Sequence, residues 1–212
     1  MLAFMDPGPG SVAEAHNAEE MTLEAWADLD EDEPGELVSG RLEEEEMTSI
    51  LHELVVAFLF RVLSAWAYAN GGWAFGSELK LAVSPTRGRK PDISVYLKGA
   101  RMSGKRASIA RTPPSITIEV LSPRPRDGRR DRVDKRSEYA RFGVKYYWLV
   151  DPELQVIEIF ELGSDERYTL TLSASAGAHP VPGCEGLTLD LDALWTEVDR
   201  LPDHLADEPA ER

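Results

Sequence analysis

Three residues in the middle of the chain have the types that phosphodiester chemistry uses. Asp92 follows Pro91 and opens the apolar run Ile93–Leu97. Glu119 lies inside a second run, Ser115–Leu121, and Lys135 lies in the polar stretch after it. A hard divalent cation takes carboxylate oxygens. A lysine ammonium can offset charge developing on a phosphate. A carboxylate set in an apolar strand costs free energy unless it has a partner. Two acids and a lysine in this order suit a metal-dependent phosphodiesterase.

Asp92 and Glu119 stand 27 residues apart, so only a folded sheet can join them. On neighbouring strands, both carboxylates can hold one magnesium or manganese ion, with the Val120 carbonyl as a third oxygen. Asp131, Lys135 and Tyr139 recur at i, i+4 and i+8, on one side of a helix. Plainer readings exist. Asp92 can be a turn residue after proline. Lys135 can form an exposed helical ion pair worth roughly a few tenths of a kcal/mol. Glu119 is the hardest to explain away, because ionisable groups are seldom fully buried without a partner. Residue types alone leave both readings open.

The elements that must position these residues follow from patterning. Thr22 can cap a short helix over 23–29. Glu36–Glu43 reads as a hairpin turning at Ser39-Gly40. Residues 48–70 form the clearest helix, with Ile50, Leu51, Leu54, Val55, Phe58, Leu59, Val62 and Leu63 at the spacing of one helical face and Asn70-Gly71-Gly72 as its end. Strands are predicted over 73–83 and 93–97, with a loop at 85–90, and 99–114 is a basic, poorly patterned excursion. Ser115–Leu121 is almost continuously apolar and β-branched, which suits a central strand covered on both faces. A helix over 130–142 stopped by Gly143 follows. Then come a strand over 144–150, meander strands at 156–161 and 168–173, and a helix over 191–199. The order predicts an α/β fold, a mixed central sheet flanked by helices, with 115–150 as a right-handed parallel crossover. Residues 1–20, with Pro7-Gly8-Pro9-Gly10 and little apolar material, are expected to be a disordered tail. Residues 21–200 form one domain and 201–212 an acidic tail.

The net charge of −15 argues against a polyanion partner until its distribution is considered. Residues 87–145 carry 17 Lys+Arg against 6 Asp+Glu, and the rest carry 6 against 32. Clustered positive charge is the footprint of phosphate binding, so DNA is the expected partner. The bland alternative is a solvated basic loop offset by acidic tails. A single cysteine, Cys184, excludes an internal disulfide and a multi-cysteine zinc site, and fits a reducing cytoplasm. The N-terminus lacks a basic region followed by an apolar stretch, so no signal peptide is expected. The longest apolar stretch, Leu54–Leu63, is interrupted by Arg61 and too short to span a bilayer.

Three stretches together resemble the Uma family of restriction endonuclease-like proteins, within the PD-(D/E)xK nuclease superfamily. They are Pro91–Val95, Ile118–Pro123, and Asp131 through Lys135 and Tyr139 to Gly143–Pro152. Glu36–Gly40 is similar to that family's opening hairpin, and His52 to a residue on its next helix. The likeness runs over roughly 22–195, and its combined order and spacing make it specific. It implies a restriction endonuclease-like fold and hydrolysis of DNA phosphodiesters with Mg2+ or Mn2+. It implies Asp92 and Glu119 as metal ligands, with Lys135 as the catalytic lysine. The superfamily's usual lysine stands two residues after the strand acid, where this chain has Leu121; the family supplies it from the next helix.

Two other readings stand beside DNA cleavage: a nuclease for RNA or for branched or single-stranded DNA, and a non-catalytic module of the same fold that binds nucleic acid or a partner protein. Cutting two strands with one site per chain favours a homodimer. The meander, with Ile157, Ile159 and Phe160, offers a sheet edge, and the early helix, with Trp66 and Tyr68, offers another surface. His16, His52, His179 and His204 show no pair at metal-ligand spacing, and His52 reads as a helix-surface or groove residue. Cys184 has no evident histidine partner, and no Gly-rich phosphate loop precedes a helix.

Overall fold

Apolar runs that are β-branched and nearly continuous belong in strands covered on both sides, and the central sheet is built around one. The structure is a computed structural model that describes residues 20–29, 35–43, 48–122 and 130–202. Residues 1–19, 30–34, 44–47, 123–129 and 203–212, and with them the expected N-terminal tail and nearly all of the acidic C-terminal one, lie outside the described residues. In chain order the elements are α1 (Leu23–Ala27), β1 (Glu36–Val38), β2 (Arg41–Glu43), α2 (Ile50–Ala69), β3 (Trp73–Phe75), β4 (Leu81–Ser84), β5 (Arg87–Arg89), β6 (Ile93–Tyr96) and β7 (Ile116–Val120). After these come a π-helical turn (Arg130–Lys135) leading into α3 (Arg136–Phe142), β8 (Tyr146–Asp151), β9 (Val156–Leu162), β10 (Tyr168–Ala174), β11 (Ala178–Pro180), β12 (Thr188–Asp190) and α4 (Leu191–Asp199).

Six strands form the main sheet in the order β10-β9-β8-β7-β6-β3. β7 and β8 run parallel, joined through α3, and their neighbours pair antiparallel. The fold is therefore the mixed α/β sheet flanked by helices that the sequence predicts. All five residues of β7 are buried. One face of the sheet packs Ile118, Val120 and Trp148 against Val55, Leu59 and Leu63 of α2 and Trp195 of α4. The other packs Leu121, Tyr147 and Leu149 against Tyr139 of α3 and Leu81 of β4. Each such aliphatic side chain contributes roughly 1.5–3 kcal/mol on burial. α2 has a mean hydropathy of 1.7 and the length to cross a bilayer. Its Val55, Leu59 and Leu63 stripe is instead committed to the sheet. Ile50, expected on the same face, is exposed, because it stands nearly half a turn round the helix from that stripe.

A second sheet, in the order β2-β1-β5-β4, is antiparallel throughout. It corrects two expectations. Residues 73–83 are not one strand: β3 ends at Phe75 and the chain crosses to the second sheet before β4. Alternation in Glu78-Leu79-Lys80-Leu81 fixes which way side chains face, not which sheet receives them. Residues 85–90 are not a loop throughout, because Gly88 pairs with Leu37 and makes 87–89 a strand. In the meander, Ile157, Ile159 and Phe160 are buried rather than at an edge. The edge is β10, which leaves Leu170 exposed.

The second sheet rests on Trp26 of α1, which is fully buried. Its indole N–H donates to the Gly35 carbonyl at 2.9 Å. Lys80 Nζ donates to the carbonyls of Trp26 and Ala27 at 2.9 and 3.1 Å, satisfying groups that a helix end leaves free. Gly88 lets the ring come this close, for a Cβ there would stand 2.2 Å from it. Strand alternation then turns Arg87 and Arg89 to the opposite side, toward α3. Gly88→Ala is expected to cost about 1–3 kcal/mol through overpacking, seen as a lower urea midpoint. An unchanged midpoint would mean that the indole has room to move.

Candidate active site

The register of the central sheet decides where the two acids meet. β6 and β7 pair antiparallel with Ile93 opposite Ile118, so one further step sets Asp92 opposite Glu119. Backbone groups of β7 alternate between its two neighbours. The Leu121 N–H donates to Val150 of β8 at 2.8 Å. The Val120 N–H points the other way and donates to Asp92 Oδ2 at 2.7 Å. A residue's N–H and C=O lie on the same edge of an extended strand, so the Val120 carbonyl also opens toward the Asp92 side.

Glu119 is held from the other direction. Lys135 Nζ donates to its Oε2 at 2.7 Å, and the Tyr139 hydroxyl donates to its Oε1 at 2.6 Å. Burial, followed by the charges of Glu119 and Glu36, holds the Tyr139 pKa well above its ordinary value, so the phenol stays a proton donor. Lys135 and Tyr139 lie one turn apart on one side, as their spacing predicts; the side chain of Asp131 lies outside the described residues. Lys135 closes the π turn, a widened turn of the kind that recurs at functional sites. Arg132 in that turn donates to Asp151 at 3.0 Å and to Glu158 at 2.9 Å, fixing it to the ends of β8 and β9.

Lys135 Nζ also lies 3.5 Å from Glu36 Oε1. Glu36 in turn accepts from Arg89 at 2.7 Å and from the Lys90 N–H at 3.0 Å. Arg89 forks onto Glu138 at 2.7 and 3.1 Å, and Arg87 adds a contact to Glu138 at 2.6 Å. Glu36, Arg89, Glu119, Lys135 and Glu138 are all buried. Sequence reasoning passed over Arg89 and Glu138. Their trace in the sequence is periodic: Arg87 and Arg89 share a strand face, and Glu138 is next to Tyr139 on the helix that covers it.

His52 departs from its surface reading. Ser49 caps α2 by accepting the His52 N–H at 3.1 Å, and this turn carries the imidazole inward. The ring is buried, with Nε2 3.4 Å from Asp92 Oδ2. Burial opposes its charge, but the hydrogen bond and charge of Asp92, with the charge of Glu53, outweigh this and raise its pKa.

Among the described residues, no three His, Cys, Asp or Glu side chains gather into a metal cage. The donors at this strand end are two carboxylates and one carbonyl. These hard oxygens suit magnesium or manganese. In the type of donor atom it offers, the set fits such an ion.

The basic segment does not turn outward as a block. Arg87 and Arg89 pair with Glu138, Arg132 with Asp151 and Glu158, Lys135 with Glu119, and Lys145 with Glu161. Arg101, Lys105 and Arg106 in the 99–114 excursion are exposed, as are Arg136 and Arg141 of α3.

Known proteins show the same relationship at the level of family and fold. The family model "Uma2: Putative restriction endonuclease" matches residues 20–193. No curated protein matches. The crystal structure of a "putative nuclease belonging to DUF820" from Anabaena variabilis superposes with a TM-score of 0.67 at 22% identity, covering 84% of this chain and 99% of that one. At that identity the likeness shows the fold.

His52 yields a test. Because folding raises its pKa, the His52–Asp92 pair contributes fully below the unfolded value near 6.5 and loses its contribution as pH rises through the folded value. His52→Gln is expected to flatten the stability profile above about pH 6.5, followed by urea denaturation without divalent ions. A variant that loses as much at pH ~8.5 as at pH ~6 would show that the folded imidazole is neutral.

Proposed function

The chain belongs to the Uma2 family, and on that premise we propose that it is a nuclease hydrolysing DNA phosphodiester bonds with magnesium or manganese held by Asp92, Glu119 and the Val120 carbonyl. The observation that carries the reading is Lys135 Nζ at 2.7 Å from Glu119, on the strand beside Asp92. Three separate elements thereby deliver two acids and an ammonium to one strand end.

When bound, the ion would supply Lewis acidity toward the phosphate and a more acidic water. The rest falls to the chain. The Val120 amide and His52 orient Asp92, and Tyr139 orients Glu119 while remaining protonated. Lys135 offsets charge that accumulates on the phosphate. Leu121, at the superfamily's usual lysine position, is buried in the core on the α3 side, so the ammonium comes from the helix instead. Exposed Arg101, Lys105, Arg106, Arg136 and Arg141 supply cations for the DNA backbone.

A second reading has its own observation. Glu119 and Lys135 are only 3% and 4% exposed, which suits a charge chain that stabilises a non-cutting module for nucleic acid or a partner protein. One experiment separates the two. Purified protein with Mg2+ or Mn2+ is incubated with supercoiled, linear and single-stranded DNA and with RNA. DNA cleavage is expected, stopped by EDTA and reduced on the order of 10²-fold or more in Asp92→Asn. Asparagine still offers an oxygen to the Val120 N–H, so this variant tests chemistry rather than folding. Intact substrates with both ions, beside retained DNA binding, would select the non-cutting module. DNA affinity is also expected to fall steeply between about 50 and 200 mM salt, as released counterions require. A flat salt response in fluorescence anisotropy would instead point to a protein partner.

A further inference from the structure

The outward side of α2 is unusual for a surface helix. Val55, Leu59, Leu63 and Ala67 form its buried stripe. At 3.6 residues per turn, the opposite side presents Ile50, Leu54, Ala57, Ala65 and Tyr68, with Phe58 at its flank. Ile50 is 76% exposed and Tyr68 60% exposed. Ala57 and Ala65 are exposed as well, whereas Leu54 and Phe58 are half-buried. Between Ile50 and Ala69 the Asp, Glu, Lys and Arg residues are Glu53 and Arg61 alone, and both are exposed.

The placement of these two charges says what covers the face. They lie four residues to either side of Ala57, about 6 Å of helical rise in each direction. A two-fold axis at Ala57 with the helices antiparallel brings Glu53 of each copy to Arg61 of the other. The same symmetry sets Ile50 against the Ser64–Ala65 step, large beside small. The alanine at the axis allows the backbones to approach closely. The Arg61 guanidinium already lies over the Phe58 ring at 5.0 Å, which keeps it on this side of the helix. Self-complementarity of this kind, in which i meets j and j meets i, is the requirement for a closed two-fold dimer. A helix face meeting lipid would gain nothing from an acid and a base set symmetrically about an alanine. We propose that the outer face of α2 is the contact between two copies of this chain, packed antiparallel about Ala57.

The test is charge reversal read by light scattering at micromolar concentration, with circular dichroism as the control for folding. Wild type is expected to scatter as two chains, near twice 23.5 kDa. Glu53→Arg alone or Arg61→Glu alone sets like charges across the axis and is expected to give a folded single-chain species. The double variant E53R/R61E restores opposite charges and is expected to return the two-chain mass. A wild-type mass of one chain at that concentration overturns the proposal, whether a segment of the same chain or a lipid vesicle covers the face instead. A two-chain mass that survives either single reversal overturns it too, as does a double variant that stays a single chain although folded.

Discussion

A carboxylate inside a fully covered strand has to be answered by positive charge from within the protein, and much of this structure follows from the answer given to Glu119. Removing an ionised group from water costs several kcal/mol even after relaxation, so an unpaired Glu119 would break β7 as a core strand. Lys135 answers it, which buries an ammonium. Glu36 faces that ammonium, Arg89 answers Glu36, and Glu138 takes the fork of Arg89. Each link comes from a different element: β7, the π turn, β1, β5 and α3. The chain of charges is thus the means by which the small second sheet and the crossover helix are registered against the main sheet. Apolar contacts alone permit sliding between such layers; bidentate Arg89–Glu138 geometry does not.

This arrangement also orders the site. For the proposed chemistry, a lysine is most useful when its position is fixed before substrate arrives, because no reorganisation is then needed during reaction. Here the ammonium is fixed by two carboxylates, and the turn that carries it is pinned by Arg132 to Asp151 and Glu158. The exposure is graded. The Asp92 side chain is 17% exposed while that of Glu119 is 4% exposed, so Asp92 is the more open of the two acids. The Val120 N–H and His52 Nε2 both meet its Oδ2.

The sequence made the central part of this fold legible and the small sheet obscure, for a physical reason. Ser115–Leu121 and the 50–69 helix announce themselves because their burial is apolar and continuous, and periodicity reports apolar burial. Asp92, Glu119 and Lys135 were readable because each is an ionisable residue at a place where its neighbours are not, or at a spacing that repeats. Arg89 and Glu138 were not, since their burial is paid in ion pairs made across 49 residues, and a polar tripeptide such as Arg87-Gly88-Arg89 looks like a loop until its partner strand is known. His52 was misplaced for a related cause. Its environment is set by the cap at Ser49 and the proximity of Asp92, neither of which leaves a mark in local hydrophobicity. The basic stretch misled in the other direction, as charge that is segregated along the chain is partly neutralised in space.

α2 draws these strands together, since each part of it faces a different task. Its inner stripe carries the core, its first turn delivers His52 to Asp92, and its outer stripe has the symmetry of a self-association face. Glu53 belongs to two of these tasks at once. Its Oε1 lies 3.5 Å from His52 Nδ1, which has no nearer hydrogen-bond partner among the described residues. In the antiparallel pairing the same carboxylate is the one that meets Arg61 of the second copy. In the proposed dimer, that pairing would draw on the carboxylate that faces His52 Nδ1, and His52 stands beside Asp92. If the outer face of α2 is that contact, assembly and the electrostatics of the candidate site meet at one glutamate, within a single helical turn.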